Sequence, residues 1–270
     1  MRHASCIAIL ALTACGHTAT VPAPAVPQAA RIQAGATRYV IVEHQHVAQE
    51  FRGQPIVTDA TIRVIVTVVV DSAASGFVVE AVVDSAAVVG DAGFSPEVVP
   101  AAIGARFLAR LSAGGSVMEL TPPASSSPLL EQLALDMYDV VPRLPSDGAL
   151  PGAGWNETTT VGGRSAGIPI TLERRATNGA DSWIVGAGER TLPVTTVTDY
   201  SLTGEGERSG QWLTITGTGR SHHYRLLTAA GVVAHGIRSD TLRVEIELPG
   251  SGLLIPLTQI RTDTVRRVIR

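Results

Sequence analysis

The chain has no lysine. All 21 of its Lys+Arg residues are arginine, and they face 24 acidic residues, for a formal charge of −3 over 270 residues. Without lysine there is no Schiff-base chemistry, no Walker-A phosphate grip and no lysine-activated serine. The near-neutral balance carries no basic excess of the kind a nucleic-acid partner requires, so no nucleic acid is expected as a partner. Two cysteines, Cys6 and Cys15, cannot build a disulfide scaffold. Aromatic residues make up only 4% of the chain, so a core has to be assembled from Val, Leu, Ile and Ala.

What is present begins with an address. Arg2 and His3 precede a short apolar run, Ala4 to Leu12, far below the ~20 residues needed to span a bilayer. A charged start and an apolar middle are the pattern of a secretory signal. The run ends in Leu12-Thr13-Ala14-Cys15. This tetrad resembles the lipobox of bacterial lipoproteins, a branched apolar residue and two small ones before a cysteine. The resemblance implies that residues 1–14 are a signal peptide that is removed and that Cys15 becomes the lipidated first residue, anchoring the protein in a membrane. Removing one arginine and no acid takes the charge from −3 to −4. Residues 15–30 then form a tether. Pro22, Pro24 and Pro27 alternate with Ala and Val, which favours an extended spacer, reaching on the order of 45 Å at ~3.1 Å per residue. Gly16 stands where an aspartate would signal inner-membrane retention in that family, which favours the outer membrane of the cell envelope.

The body reads as mainly β, with α+β character in its N-terminal half. Residues 31–145 read as strand, helix, strand, helix. Strands are expected at Thr37–Glu43, Thr61–Val70 and Phe77–Val83. A first helix opens at Ser95-Pro96, with Val98, Ala101, Ala102, Ala105, Leu108 and Ala109 at helical spacing through Leu111. Ser116–Leu120 reads as a short strand, and a second helix opens at Ser127-Pro128 and runs to about Tyr138. Residues 146–270, beyond the turn-rich Leu144–Gly154, read as an antiparallel meander continuous with the first half. Short strands recur at Trp155–Val161, Ile168–Arg175, Ser182–Glu189, Val194–Gly204, Gln211–Gly217, His222–Leu227, Val232–Ser239, Leu242–Leu248 and Leu253–Ile260. In Thr241–Leu248, Leu242, Val244, Ile246 and Leu248 face one way, and Thr241, Arg243, Glu245 and Glu247 face the other, as in a sheet with one dry face. The expected architecture is a large curved antiparallel sheet or half-barrel with two helices packed on one face. In outline this resembles the half-barrel lipoprotein carriers of Gram-negative envelopes. From Leu144-Pro145 through Trp155 to Tyr200–Gly204 and on to Ile269, the chain also resembles uncharacterised β-rich envelope lipoproteins.

Few residues offer chemistry. Gly163-Arg164-Ser165-Ala166-Gly167 has the G-x-S-x-G form of serine hydrolases, but Ile168–Leu172 continue it as a strand where a nucleophile elbow needs a helix. Asp181 or Asp199, with His222, His223 or His235, would complete a triad on paper. His44 and His46 share a face of their strand, with Glu43 and Glu50 nearby, short of the three or four converging ligands of a zinc site. No metal and no cofactor are assigned. Gly186–Gly188, Gly204–Gly206 and Gly217–Gly219 precede no helix, so they read as turns or bulges and not phosphate loops. Arg174, Arg175, Arg225, Arg238, Arg243, Arg261, Arg266, Arg267 and Arg270 interleave with glutamates and read as a salt-bridged outer sheet face. The leading expectation is non-catalytic binding of an apolar or amphipathic ligand in the concavity between sheet and helices. The alternatives are a module that binds another envelope protein and a serine hydrolase at Ser165.

Overall fold

A computed structural model describes residues 28–92, 97–123, 127–165, 167–186 and 188–269. Cys15, most of the tether and the Ser95-Pro96 helix start lie outside the described residues. One sheet organises the body. β1 (Gly35–Phe51), β2 (Gln54–Ala73), β3 (Gly76–Gly90), β4 (Arg106–Leu111) and β5 (Val117–Thr121) form its N-terminal wing. β6 (Gly154–Ser165), β7 (Ile168–Ala180), β8 (Ile184–Gly186), β9 (Glu189–Arg208), β10 (Gln211–Leu227), β11 (Val233–Leu248) and β12 (Leu253–Arg267) form the other. The order across the sheet is β5-β4-β3-β2-β1-β12-β11-β10-β9-β7-β6, with β8 paired to β9 off this path. Every pairing is antiparallel. The wings join where β1 pairs with the last strand, through Tyr39↔Arg267 to Gln49↔Leu257. The sheet curls into a half-barrel, as the alternating pattern implied.

Two helices sit on the concave face. α2 (Pro128–Met137) matches expectation: Pro128 takes the first turn, and the Ser127 side chain accepts from Leu130 N–H at 3.3 Å. Its Leu129, Leu130, Leu133 and Met137 are buried among Val64, Val66 and Val68 of β2 and Val83 of β3. The first helix is a correction. α1 covers only Val98–Ala102, and the chain turns extended at Ile103. Gly104 then adopts φ +81°, and Arg106–Leu111 forms β4 against β3. The helical spacing of Ala105, Leu108 and Ala109 competes with a period-two pattern in which Phe107 and Leu111 are buried while Arg106, Leu108 and Arg110 are exposed. The sheet partner wins because burying Phe107 outweighs the weak helical preference of a short alanine-containing run.

Two pairs of short strand candidates also merge. Gln211–Gly217 and His222–Leu227 are one strand, β10, and Val232–Ser239 and Leu242–Leu248 are one strand, β11. Gly217-Thr218-Gly219 is therefore not a turn but the middle of β10. Gly186 closes β8, and Gly188, at φ +81°, lies in the turn that leads into β9, in keeping with the expectation for this stretch. Ala30 and Ala149 exchange both backbone hydrogen bonds at 2.9 Å, so the tether is already docked on the body at Ala30.

The outward face of β6–β11 is built for water. Exposed Arg175 stands opposite Asp199, which stands opposite Arg220. Arg220 and Asp199 approach to 3.6 Å. Arg243, Glu245 and Glu247 continue the face on β11, exposed as the alternation predicted. A strand facing lipid carries an apolar band there instead, and each charge set in it costs ~2–4 kcal/mol.

Candidate functional site

The concave face is banded along its strands. At one end lies an apolar belt that includes Tyr39, Val66, Val194, Leu192, Leu227 and Val233. At the other lies a second, of Ile168, Ile170, Leu202, Ile215 and Val244, with Leu135, Leu172 and Leu242 packed against it. Between them most inward positions turn polar or ionic. Along β10 the inward residues run Ile215, Gly217, Gly219, Ser221, His223, Arg225, Leu227, so the change happens within one strand and in one phase. Register carries the band sideways. Glu43 stands opposite Asp263, Asp263 opposite Arg238, and Arg238 opposite His223, which in turn stands opposite Thr196.

Here the structure corrects the reading of the arginines. Arg175 and Arg243 are on the outer face, but Arg174, Arg225, Arg238 and Arg261 point inward with Arg143. The hub is Asp139, two residues past the end of α2. Its carboxylate accepts from Arg143 Nη2 at 2.7 Å, from Arg174 Nη2 at 2.9 and 2.8 Å, and from Arg238 Nη1 at 3.1 Å. Arg238 also donates from Nε to Asp263 at 2.6 Å and from Nη2 to Asp136 at 3.2 Å. Arg261 reaches Asp136 at 2.9 Å, and Gln132 of α2 donates to Glu43 at 2.6 Å. The helix is thus riveted to the sheet by charge as well as by its leucines.

The electrostatics are polarised. Burial would raise the Asp139 carboxyl, but Arg174, Arg143 and Arg238 outweigh it and hold it well below the usual range. On the β1/β12 side burial dominates and the acids repel one another. Asp136 is pushed up to about 7, Glu43 well above its usual value, and Asp240 and Asp263 also upward. On the β9/β10 side the excess is positive. Burial, joined by Arg143 and Arg174, brings Arg225 down to about 10, and burial with Arg225 keeps His223 well below 6.5 and neutral.

This sets a pH dependence with a definite sign. Between pH 3.8 and about 7 the folded protein keeps a proton on Asp136 that the unfolded chain has released, so stability from this group falls as pH rises through that window. His223 acts the other way, costing stability as pH drops below 6.5. Comparing Asp136→Asn with wild type cancels His223. The variant is expected to gain on the order of 2 kcal/mol on wild type between pH 5 and pH 8, read from urea unfolding midpoints. A difference that stays flat with pH means that Asp136 ionises normally.

Between the ionic band, the second apolar belt and α2 lies a cleft of about 340 Å³. Leu135, Ile170, Leu172, Leu202 and Leu242 form its apolar wall, and Asp136, Arg174, Tyr200, Arg238, Asp240 and Arg261 its polar floor. Glycines make the room. A Cβ on Gly219 would lie 2.4 Å from the Tyr200 ring, and one on Gly163 would lie 2.8 Å from Leu135 Cδ2. Tyr200, laid across Gly219, donates to Asp240. Burial and the neighbouring Asp240 carboxylate raise the phenol, so it stays a donor.

Other sequence candidates are placed as follows. Ser165 ends β6 opposite Ile168, in a hairpin whose Gly167 has φ +85°, so it sits on no strand-to-helix elbow although it borders the cleft. That hairpin is tied to α2 by Gly167 N–H donating to Glu131 at 3.1 Å. Asp199 and His222 are exposed on the outer face, away from Ser165. His44 pairs with Thr61 at 3.0 Å and His46 with Asp59 at 2.7 Å, and no metal-ligand cluster is found among the described residues.

No protein-family model matches the chain, and no curated protein matches it. Among solved structures it is similar to Pseudomonas aeruginosa OccK2 (OpdF), with a TM-score of 0.30 and 8% identity over 89% of this chain and 100% of that one. It is also similar to Pseudomonas aeruginosa OpdO, with a TM-score of 0.24 and 11% identity over 88% of this chain and 98% of that one.

Proposed function

We propose that this chain is a lipid-anchored protein of the bacterial cell envelope, with the outer membrane the favoured site, and that it binds a small amphipathic ligand without catalysis. The cleft carries this reading. Its leucine and isoleucine wall accepts an apolar body, while Asp136, Arg174, Arg238, Asp240 and Arg261 offer charge-assisted partners to a polar head. A volume of about 340 Å³ falls at the small end of the ~300–1,000 Å³ typical of ligand sites. The lipobox and proline-rich tether support the envelope setting, and the water-compatible outer sheet face suits a body held off the membrane by that tether.

The test is titration with a naphthylamine fluorescent probe, followed by displacement with medium-chain amphipaths. Leu135 and Leu242 are only partly buried, so glutamine is tolerated at both. Leu135→Gln and Leu242→Gln are each expected to weaken binding roughly tenfold, the loss of ~1.5 kcal/mol of apolar contact. Affinity unchanged in both variants moves the ligand out of the cleft. A second reading, a module that docks another envelope protein, rests on the sheet edge. β6 pairs only with β7 among the described residues, which leaves its other side available for strand addition.

A further inference from the structure

Arg225 is the one arginine of the ionic band in no ion pair, although Asp139 acts on it from beyond contact distance. Its side chain is more than nine-tenths buried, yet no carboxylate among the described residues comes within 4 Å. Its hydrogen-bond contacts go to a single neighbour, from Nε to His223 Nε2 at 3.1 Å and from Nη2 to His223 Nδ1 at 2.6 Å. A neutral imidazole has only one nitrogen that accepts. One of those two contacts therefore sets N–H against N–H, and a buried cation is left with a donor to spare. Leaving it so is costly, because a buried charge needs both a partner and hydrogen bonds.

Beside Arg225 lies a second cavity, more enclosed than the cleft and with room for about 10 Å³. That is the size of one water-sized occupant. Thr198 and Ser221 line it with hydroxyls, and Arg143, Arg174 and Arg238 surround it, against the carboxylates of Asp139 and Glu157 alone. Arg238 is matched on its far side by Asp263 and Asp136, Arg143 and Arg174 by Asp139. The guanidinium with no carboxylate in contact is that of Arg225.

We propose that this cavity is a buried site for a single monoatomic anion of the halide class, coordinated by Arg225 and the hydroxyls of Thr198 and Ser221. Polyatomic oxyanions are too large for it. Three charges of the band sit at its mouth, since Arg174, Arg238 and Asp139 line both this cavity and the cleft. An anion here cancels the positive excess of the β9/β10 side. The inference stands independently of what the cleft binds.

Crystals of the protein grown in sodium bromide test it directly. An anomalous peak in the cavity, within hydrogen-bond distance of Arg225, supports the site, and an ordered water there with no anomalous signal overturns it. In solution, the melting temperature is expected to rise saturably, by a few degrees, in sodium chloride relative to sodium gluconate at equal ionic strength. Thr198→Val keeps the shape, removes one hydroxyl and is expected to shift that dependence to higher chloride. Arg225→Gln, if folded, is expected to abolish it. Equal melting temperatures of the wild-type protein in the two salts overturn the proposal whether or not either variant folds.

Discussion

Asp139→Ala is expected to destabilise the protein by about 3–5 kcal/mol, enough to leave many domains largely unfolded. The magnitude follows from geometry. One buried carboxylate accepts four hydrogen bonds from three guanidinium groups, Arg143, Arg174 and Arg238. Arg238 has Asp263 and Asp136 to fall back on, and Arg143 retains Thr159 at 2.9 Å. Arg174 pairs with no other acid among the described residues and would be buried as an uncompensated cation next to Arg225. Removing one member of a buried ion cluster costs far more than the cluster contributes against an apolar equivalent, because the charges left behind stay desolvated. The measurement is the urea midpoint of the variant against wild type at pH 7, with Asp139→Ala/Arg174→Met as its partner. The double variant is expected to recover part of the loss, since it removes the stranded cation too. A single variant within 1 kcal/mol of wild type would show that water reaches the hub and screens it.

Cys15→Ala is expected to move the protein from the membrane fraction to the soluble one. The apolar leader is too short to span a bilayer, no described helix is long and apolar enough to cross one, and the outer face of β6–β11 carries paired charges. The Leu12-Thr13-Ala14-Cys15 motif makes a covalent lipid on Cys15 the proposed means of attachment, and its loss is expected to leave the body in the soluble fraction. Fractionation and the intact mass of the N-terminal peptide check this together. A Cys15→Ala protein that still sediments with membranes, with no acyl mass on Cys15 in wild type, contradicts the anchor.

The fold was legible because its signal is local and periodic. Thr241–Leu248 alternates without a break, and the register confirms which face each residue takes. α2 announced itself through Ser127, Pro128 and its leucines. What could not be read was the sharing of one phase by two chemistries. His223 and Arg225 lie in phase with Ile215 and Leu227 on β10, and Arg238 and Asp240 with Leu242 and Val244 on β11. Charged residues at inward positions look like errors in a one-strand pattern and make sense only once register sets four strands of them, β1, β12, β11 and β10, side by side. The same blindness turned Gly217 and Gly219 into a turn. Their role depends on Tyr200, which arrives from the neighbouring strand to lie over Gly219. β4 is hidden for a related reason: Arg106–Leu111 satisfies both periods, and the arbiter is β3, which local sequence does not display.

The account stands on the cleft as a ligand site. Native mass spectrometry of full-length Cys15→Ala protein, purified from cells without detergent, tests that most directly. The expected spectrum carries one small amphipathic molecule per chain, lost from the same protein bearing Leu135→Gln and Leu242→Gln. A spectrum of bare protein alone, from chains that also leave the naphthylamine probe unbound, contradicts it.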